Sequence, residues 1–174
     1  MPRHYSYRVD HDLGFAPHVW RNVATVCGCK VTTIERWADV GSWVVGTGGN
    51  GTGQPNKLIY AMKVTGTPTY EQFKTNHPAN AAYLSPAPIP SKARVLVSRG
   101  EFYYFGVHAL SLPSDLTNIV HPVQGCKRLT EQDIERLTRF LAKLKRGKHG
   151  RPNNAQEQPT CEATSEAPQE TPPK

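Results

Sequence analysis

Long apolar runs are missing from this 174-residue chain, and no segment approaches the ~20 apolar residues of a membrane-spanning helix. The opening Met1-Pro2-Arg3-His4-Tyr5 has no apolar core of the signal-peptide kind and leads straight into a strand-like alternation. Both absences point to a cytoplasmic protein with no membrane partner. Cysteine is scarce as well. Of Cys27, Cys29, Cys126 and Cys161, only the first two are close, and one residue between them is too few for a paired zinc cluster. No metal site is expected, and in a reducing compartment the four are simplest as thiols. The glycines between 46 and 53 lack the Gly-Lys-Ser/Thr ending of a phosphate-binding loop and do not open a helix. No Ser/His/Asp triad can be picked out, since His18, His77, His108 and His121 are dispersed. The sequence names no cofactor.

Acids are in short supply, with 14 against 21 lysines and arginines, for a net charge of +7. The acids that exist are unevenly spread. Four glutamates and one lysine fall in residues 152–174, so that stretch removes three charges and the remainder carries +10. A body this basic favours polyanions, which makes nucleic acid or a nucleotide the expected partner. The charge is equally compatible with a soluble protein of scattered lysines. From Pro152 onward the chain is Pro, Glu, Gln and Thr without a large apolar residue, the composition of a disordered tail. The expected organisation is a folded domain over 1–150 and a disordered acidic Pro/Glu-rich tail over 151–174.

Within the domain, Tyr5, Tyr7 and Val9 alternate with Ser6 and Arg8, predicting a strand over 4–9. Residues 10–20 form a loop broken by Gly14 and Pro17. A short helix runs from Thr32 or Thr33 to Ala38. Trp43–Gly46 and Lys57–Val64 are strands around a glycine-rich hairpin loop, expected to be a mobile rim. Thr67 or Thr69 caps a helix ending near Asn76, and 79–91 is an extended loop. Arg94–Val97 and Glu101–Gly106 form a hairpin, with Phe102 and Tyr104 on one face and Tyr103 and Phe105 on the other. Thr130 and Asp133 open a last helix, predicted to reach about Arg146, with an apolar stripe of Ile134, Leu137, Leu141 and Leu144.

The segments Asp12-Leu13-Gly14-Phe15-Ala16-Pro17, Thr25 to Cys29-Lys30, Ile34–Ala38, Gly41-Ser42-Trp43-Val44-Val45-Gly46-Thr47-Gly48 and Val95–Gly106 together resemble the second type of nucleotide modification associated domain. That family is found in bacteria and phages near base-modification genes. An acid is usual where Ser42 stands here. The hairpin is also similar to the wider PUA-like barrel group, which includes domains that read modified bases. The resemblances imply an α+β fold, a small curved mixed or antiparallel sheet or partial barrel with packed helices, acting on a nucleobase.

A pocket beside the 41–48 strand is the expected site. Asp12, just past a strand end, is placed to accept from a base edge or act as general base. Cys29, next to the cation of Lys30, is the candidate nucleophile, and a buried structural thiol is the competing reading. Trp43 is the candidate stacking surface, with Lys30 and the backbone of Gly46, Thr47 and Gly48 completing base contacts. Trp20, Trp37, Phe15, Tyr103 and Tyr104 are further stacking aromatics, or simply core. Arg136, Arg139, Lys143 and Arg146, extended by Lys145, Lys148 and Arg151, form a basic stripe for phosphates, or a solvated face. Three functions stay open: an enzyme on a base, a reader of a modified base, and a non-catalytic interaction protein of a base-modification or defence system, with other base-modification proteins as partners.

Overall fold

The computed structural model describes residues 1–27, 32–85 and 87–154. β1 (His4–Val9) forms at the predicted alternation, and β4 (Trp43–Gly48) lies parallel to it, with Tyr5 opposite Val44 and Val9 opposite Gly48. Parallel neighbours need a long crossover. The chain between them supplies it with β2 (His18–Trp20), β3 (Val23–Val26) and α1 (Thr32–Trp37). β5 (Leu58–Lys63) returns antiparallel to β4. It is followed by α2 (Tyr70–Asn76), α3 (Pro78–Ala81), β6 (Leu96–Arg99), β7 (Phe102–Tyr104), β8 (Cys126–Leu129), α4 (Glu131–Leu141) and β9 (Gly147–Lys148). Among the described residues the strands make two sheets, a mixed six-stranded one ordered β8-β1-β4-β5-β7-β9 and a three-stranded one ordered β2-β3-β6.

The hairpin β6–β7 joins the sheets, because β6 belongs to the smaller and β7 to the larger. A bridge between Gly66 and Val97 fastens the chain just after β5 to β6. The two sheets face each other over a shared core that includes Tyr7, Val9, Val26, Ile59, Leu96 and Tyr104. The outer face of the six-stranded sheet is covered by α4, where Ile134, Leu137 and Leu141 meet Val45, Ala61 and Tyr103. The outer face of the three-stranded sheet is covered by α2 and α3, through Phe73, Ala81 and Leu84 against Val95 and Val97. The result is a four-layer α+β structure, helix on sheet on sheet on helices. It carries the expected mixed sheet and packed helices, and no closed barrel forms among the described residues.

The helices begin where side chains replace missing backbone partners. Thr130 accepts from Asp133 N at 3.1 Å, and the Asp133 carboxylate accepts from Thr130 N at 2.9 Å, a reciprocal cap on α4. Asn118 donates to the same carboxylate at 2.9 Å. Burial opposes the charge on Asp133, but these hydrogen bonds and the nearby Lys127 outweigh it and lower its pKa below the ordinary value. Thr69 and Gln72 cap α2 in the same way. α4 stops at Leu141, five residues short of its predicted end, and the chain then returns to the sheet, where β9 pairs with β7. β2 sits inside the segment read as a loop, and α3 inside the one read as extended; three and four residues are too few to display a period.

Candidate functional site

Asp12 leaves β1 and turns inward, where it is 1% exposed. The Tyr104 hydroxyl, on the inner face of β7, donates to its carboxylate at 2.8–2.9 Å. Asn153 donates to Asp12 Oδ2 from both its backbone and its side-chain nitrogen at 3.1 Å. Asn154 adds a two-way contact: its Oδ1 accepts from Asp12 N at 2.8 Å, and its N donates to Asp12 O at 2.9 Å. The Asn154 side chain donates to Gly51 O as well, at 2.8 Å. A buried carboxylate persists only with such donors. Burial, reinforced by the charge of Asp12, drives the Tyr104 phenol far above its ordinary pKa, so the hydroxyl keeps its proton and remains a donor. Beside this seam, Tyr60 donates to the Tyr7 hydroxyl at 2.7 Å, and the Tyr7 hydroxyl donates to Ala16 O at 3.3 Å.

Tyr104 is also part of the wall of a cavity of about 540 Å³. Leu13–Phe15 and Pro17–Val19 form one side, Tyr83 another, and Lys148 and Pro152 arrive from the chain end. Gly14, at φ +82, lets the loop pass close to Pro152; a Cβ there would stand 2.9 Å from the proline ring. The His18 and Tyr83 rings lie within 20° of parallel with centroids 6.0 Å apart. His18 Nδ1 is 3.2 Å from Gly14 O, and a carbonyl only accepts, so Nδ1 carries the proton. Burial pulls the imidazole below its ordinary pKa of 6.5; the Gly14 bond opposes this, the Lys148 charge adds to it, and the Asn80 side chain opposes it weakly. The ring is therefore neutral near pH 7, and its Nε2 is buried from solvent. Asn80 Nδ2 is likewise buried. Aromatic faces, a neutral imidazole and one ammonium group suit a flat, polar-edged, anionic ligand.

The family model for nucleotide modification associated domain 2 matches residues 1–89 and 89–159. The chain belongs to this family. No curated protein and no solved structure matches it. The family match runs past residue 150, in keeping with the contacts of Asn153 and Asn154: residues 151–154, grouped with the tail by composition, dock onto the domain.

In this family member the expected site residues are dispersed. Asp12 stands behind Tyr104 at the cavity floor, its oxygens occupied by donors. Trp43 lies on the opposite face of the six-stranded sheet, half-buried against the α4 layer, with its backbone N–H donating to His4 Nδ1 at 2.9 Å. Gly46, Thr47 and Gly48 are buried within β4. A Cβ at Gly46 would collide with the Tyr60 ring, so this glycine lets Tyr60 lie across the strand and reach Tyr7. Thr47 Oγ1 donates to Tyr7 O at 3.5 Å and accepts from His121 N at 3.4 Å. The glycine-rich loop, expected as a mobile rim, is tied down: Gly49 N donates to Val9 O, Asn56 N to Gly48 O, and Asn154 holds Gly51. Ser42, where an acid is usual, closes a turn by accepting from Asp39 N at 2.9 Å.

Arg136 and Arg139 lie on α4, Lys143 and Arg146 just beyond it. Arg139 is paired with Glu135 at 2.9 Å, and Arg136 donates to Asp115 O at 3.5 Å. The α4 layer is separated from the cavity by the six-stranded sheet, as Tyr103 and Tyr104 show by pointing to opposite faces. Cys29 and Lys30 lie outside the described residues. Phe15 and Tyr104 were legible as aromatics near the site. His18 is one of the dispersed histidines and Lys148 falls in the extension of the basic stripe, so neither pointed to this cavity; the signal available for Tyr83 is one aromatic within a Pro- and Ala-rich segment.

Proposed function

We propose that this protein recognises a nucleobase in the cavity between the Leu13–Val19 loop, Tyr83 and Lys148. The observation that carries the reading is the composition of that cavity. At about 540 Å³ it lies within the range of small-molecule sites, and Phe15, His18, Tyr83 and Tyr104 line it. Aromatic faces hold a flat heterocycle by stacking, worth about 1–3 kcal/mol per base. Membership of a family associated with nucleotide modification supports the same ligand class.

Within this reading Asp12 is a positioning residue. Its carboxylate accepts from Tyr104 and Asn153, which sets the Tyr104 ring as the cavity floor and leaves the acid committed. Recognition without chemistry is thus the preferred activity. The test is equilibrium binding of nucleosides and nucleotides, followed by mass analysis of the recovered ligand. Binding with an unchanged mass supports a reader, a changed mass shows an enzyme, and the absence of any binding defeats the proposal.

A further inference from the structure

Among the described residues the cavity has one charged lining residue, Lys148. It is delivered by β9, whose pairing with β7 sets Lys148 opposite Tyr104 and so on the inner face of the sheet. Asp12 is not among the lining residues, and its carboxylate oxygens already accept from Tyr104 and Asn153. A lone ammonium against aromatic walls selects a ligand with one anionic group near a flat apolar body. A polymer of nucleotides asks for something different, a row of cations tracking successive phosphates. Arg136 and Arg139, which begin the predicted basic stripe, lie on α4, on the far side of the six-stranded sheet, with Arg139 already paired to Glu135. No short ligand spans both faces.

We infer that the cavity takes a free mononucleotide, its base among Phe15, His18 and Tyr83 and its phosphate on Lys148. The inference rests on the base-binding reading above and adds the ligand class, a nucleoside monophosphate in preference to DNA or RNA.

The experiment titrates the full chain with the common ribo- and deoxynucleoside 5′-monophosphates, the matching nucleosides, and a short single-stranded DNA. The expected result is a monophosphate bound at least about tenfold more tightly than its nucleoside, the range of one charge-assisted hydrogen bond. Lys148→Ala should erase that advantage and leave nucleoside affinity in place, whereas Lys148→Arg should keep most of it. Equal affinities for nucleoside and monophosphate overturn the inference while sparing the base-binding reading. So does DNA that binds more tightly than the monophosphate with a salt slope of several phosphates. No binding by any of the three probes overturns both.

Discussion

The two faces of the six-stranded sheet are built from the same strands and do different work. Toward α4 the contacts are apolar: Val45, Ala61 and Tyr103 meet Leu137 and Leu141. Toward the three-stranded sheet, the same strands present Tyr7, Tyr60 and Tyr104, whose hydroxyls are spent on one another, on Ala16 and on Asp12. That face opens at its edge into the cavity. One face holds the sheet together; the other places polar groups beside an aromatic-lined cavity. Neighbouring residues in β7, Tyr103 and Tyr104, fall on either side of this division, so a functional argument by sequence proximity alone fails here.

The division breaks most visibly on the dry face. Leu137 is fully buried, and Leu137→Ala should cost about 2–5 kcal/mol of folding stability through lost burial and a cavity. Urea unfolding measures it, and nucleotide affinity of the folded fraction should be unchanged. A loss of affinity comparable to wild-type binding itself would mean that the faces are coupled. Asp12→Ala should come next, at about 2–3 kcal/mol, because the Tyr104 hydroxyl and Asn153 N–H lose their acceptor. Unlike Leu137→Ala, it should also abolish ligand binding, since the Tyr104 ring is no longer held.

Tyr83→Ala sharpens the contrast from the other direction. Tyr83 is 55% exposed, so its removal should leave the unfolding midpoint unmoved while affinity falls by about 1–3 kcal/mol of stacking. The smallest effect concerns pH. His18 has a folded pKa below its ordinary 6.5, so the unfolded chain binds the proton more readily. Stability should therefore be flat above that value and decline as pH falls from 6.5 toward the lower folded pKa, and His18→Asn should flatten the decline in an acid titration of the unfolding midpoint. Asp133 has a lowered pKa as well, but its contribution is lost only as pH falls below 3.8, so the two windows are separable.

Much of the scaffold was legible because its signals are local. β1, β4 and β5 announce themselves by apolar content, and the Thr130–Asp133 cap marks α4 before any packing is known. The opposite-face assignment of Tyr103 and Tyr104 follows from strand period alone. The site was less legible. Trp43 was a sound stacking residue by type, yet alternation says only that it opposes Val44, not which layer covers either face. Tyr83 gave no periodic signal, and Lys148 sits in a two-residue strand.

By itself, the sequence determined the strands and caps, the basic body with its acidic end, and membership of the nucleotide modification associated domain 2 family, because each is a property of neighbouring residues or of their order. Tertiary structure alone decided where the cavity forms. The Asp12 carboxylate meets Tyr104 across 92 residues and Asn153 across 141, and the cavity wall gathers Phe15, Tyr83 and Lys148 from three separate stretches. Such contacts depend on which sheet faces come together, and that choice is made by the packing of whole layers, which no local pattern encodes.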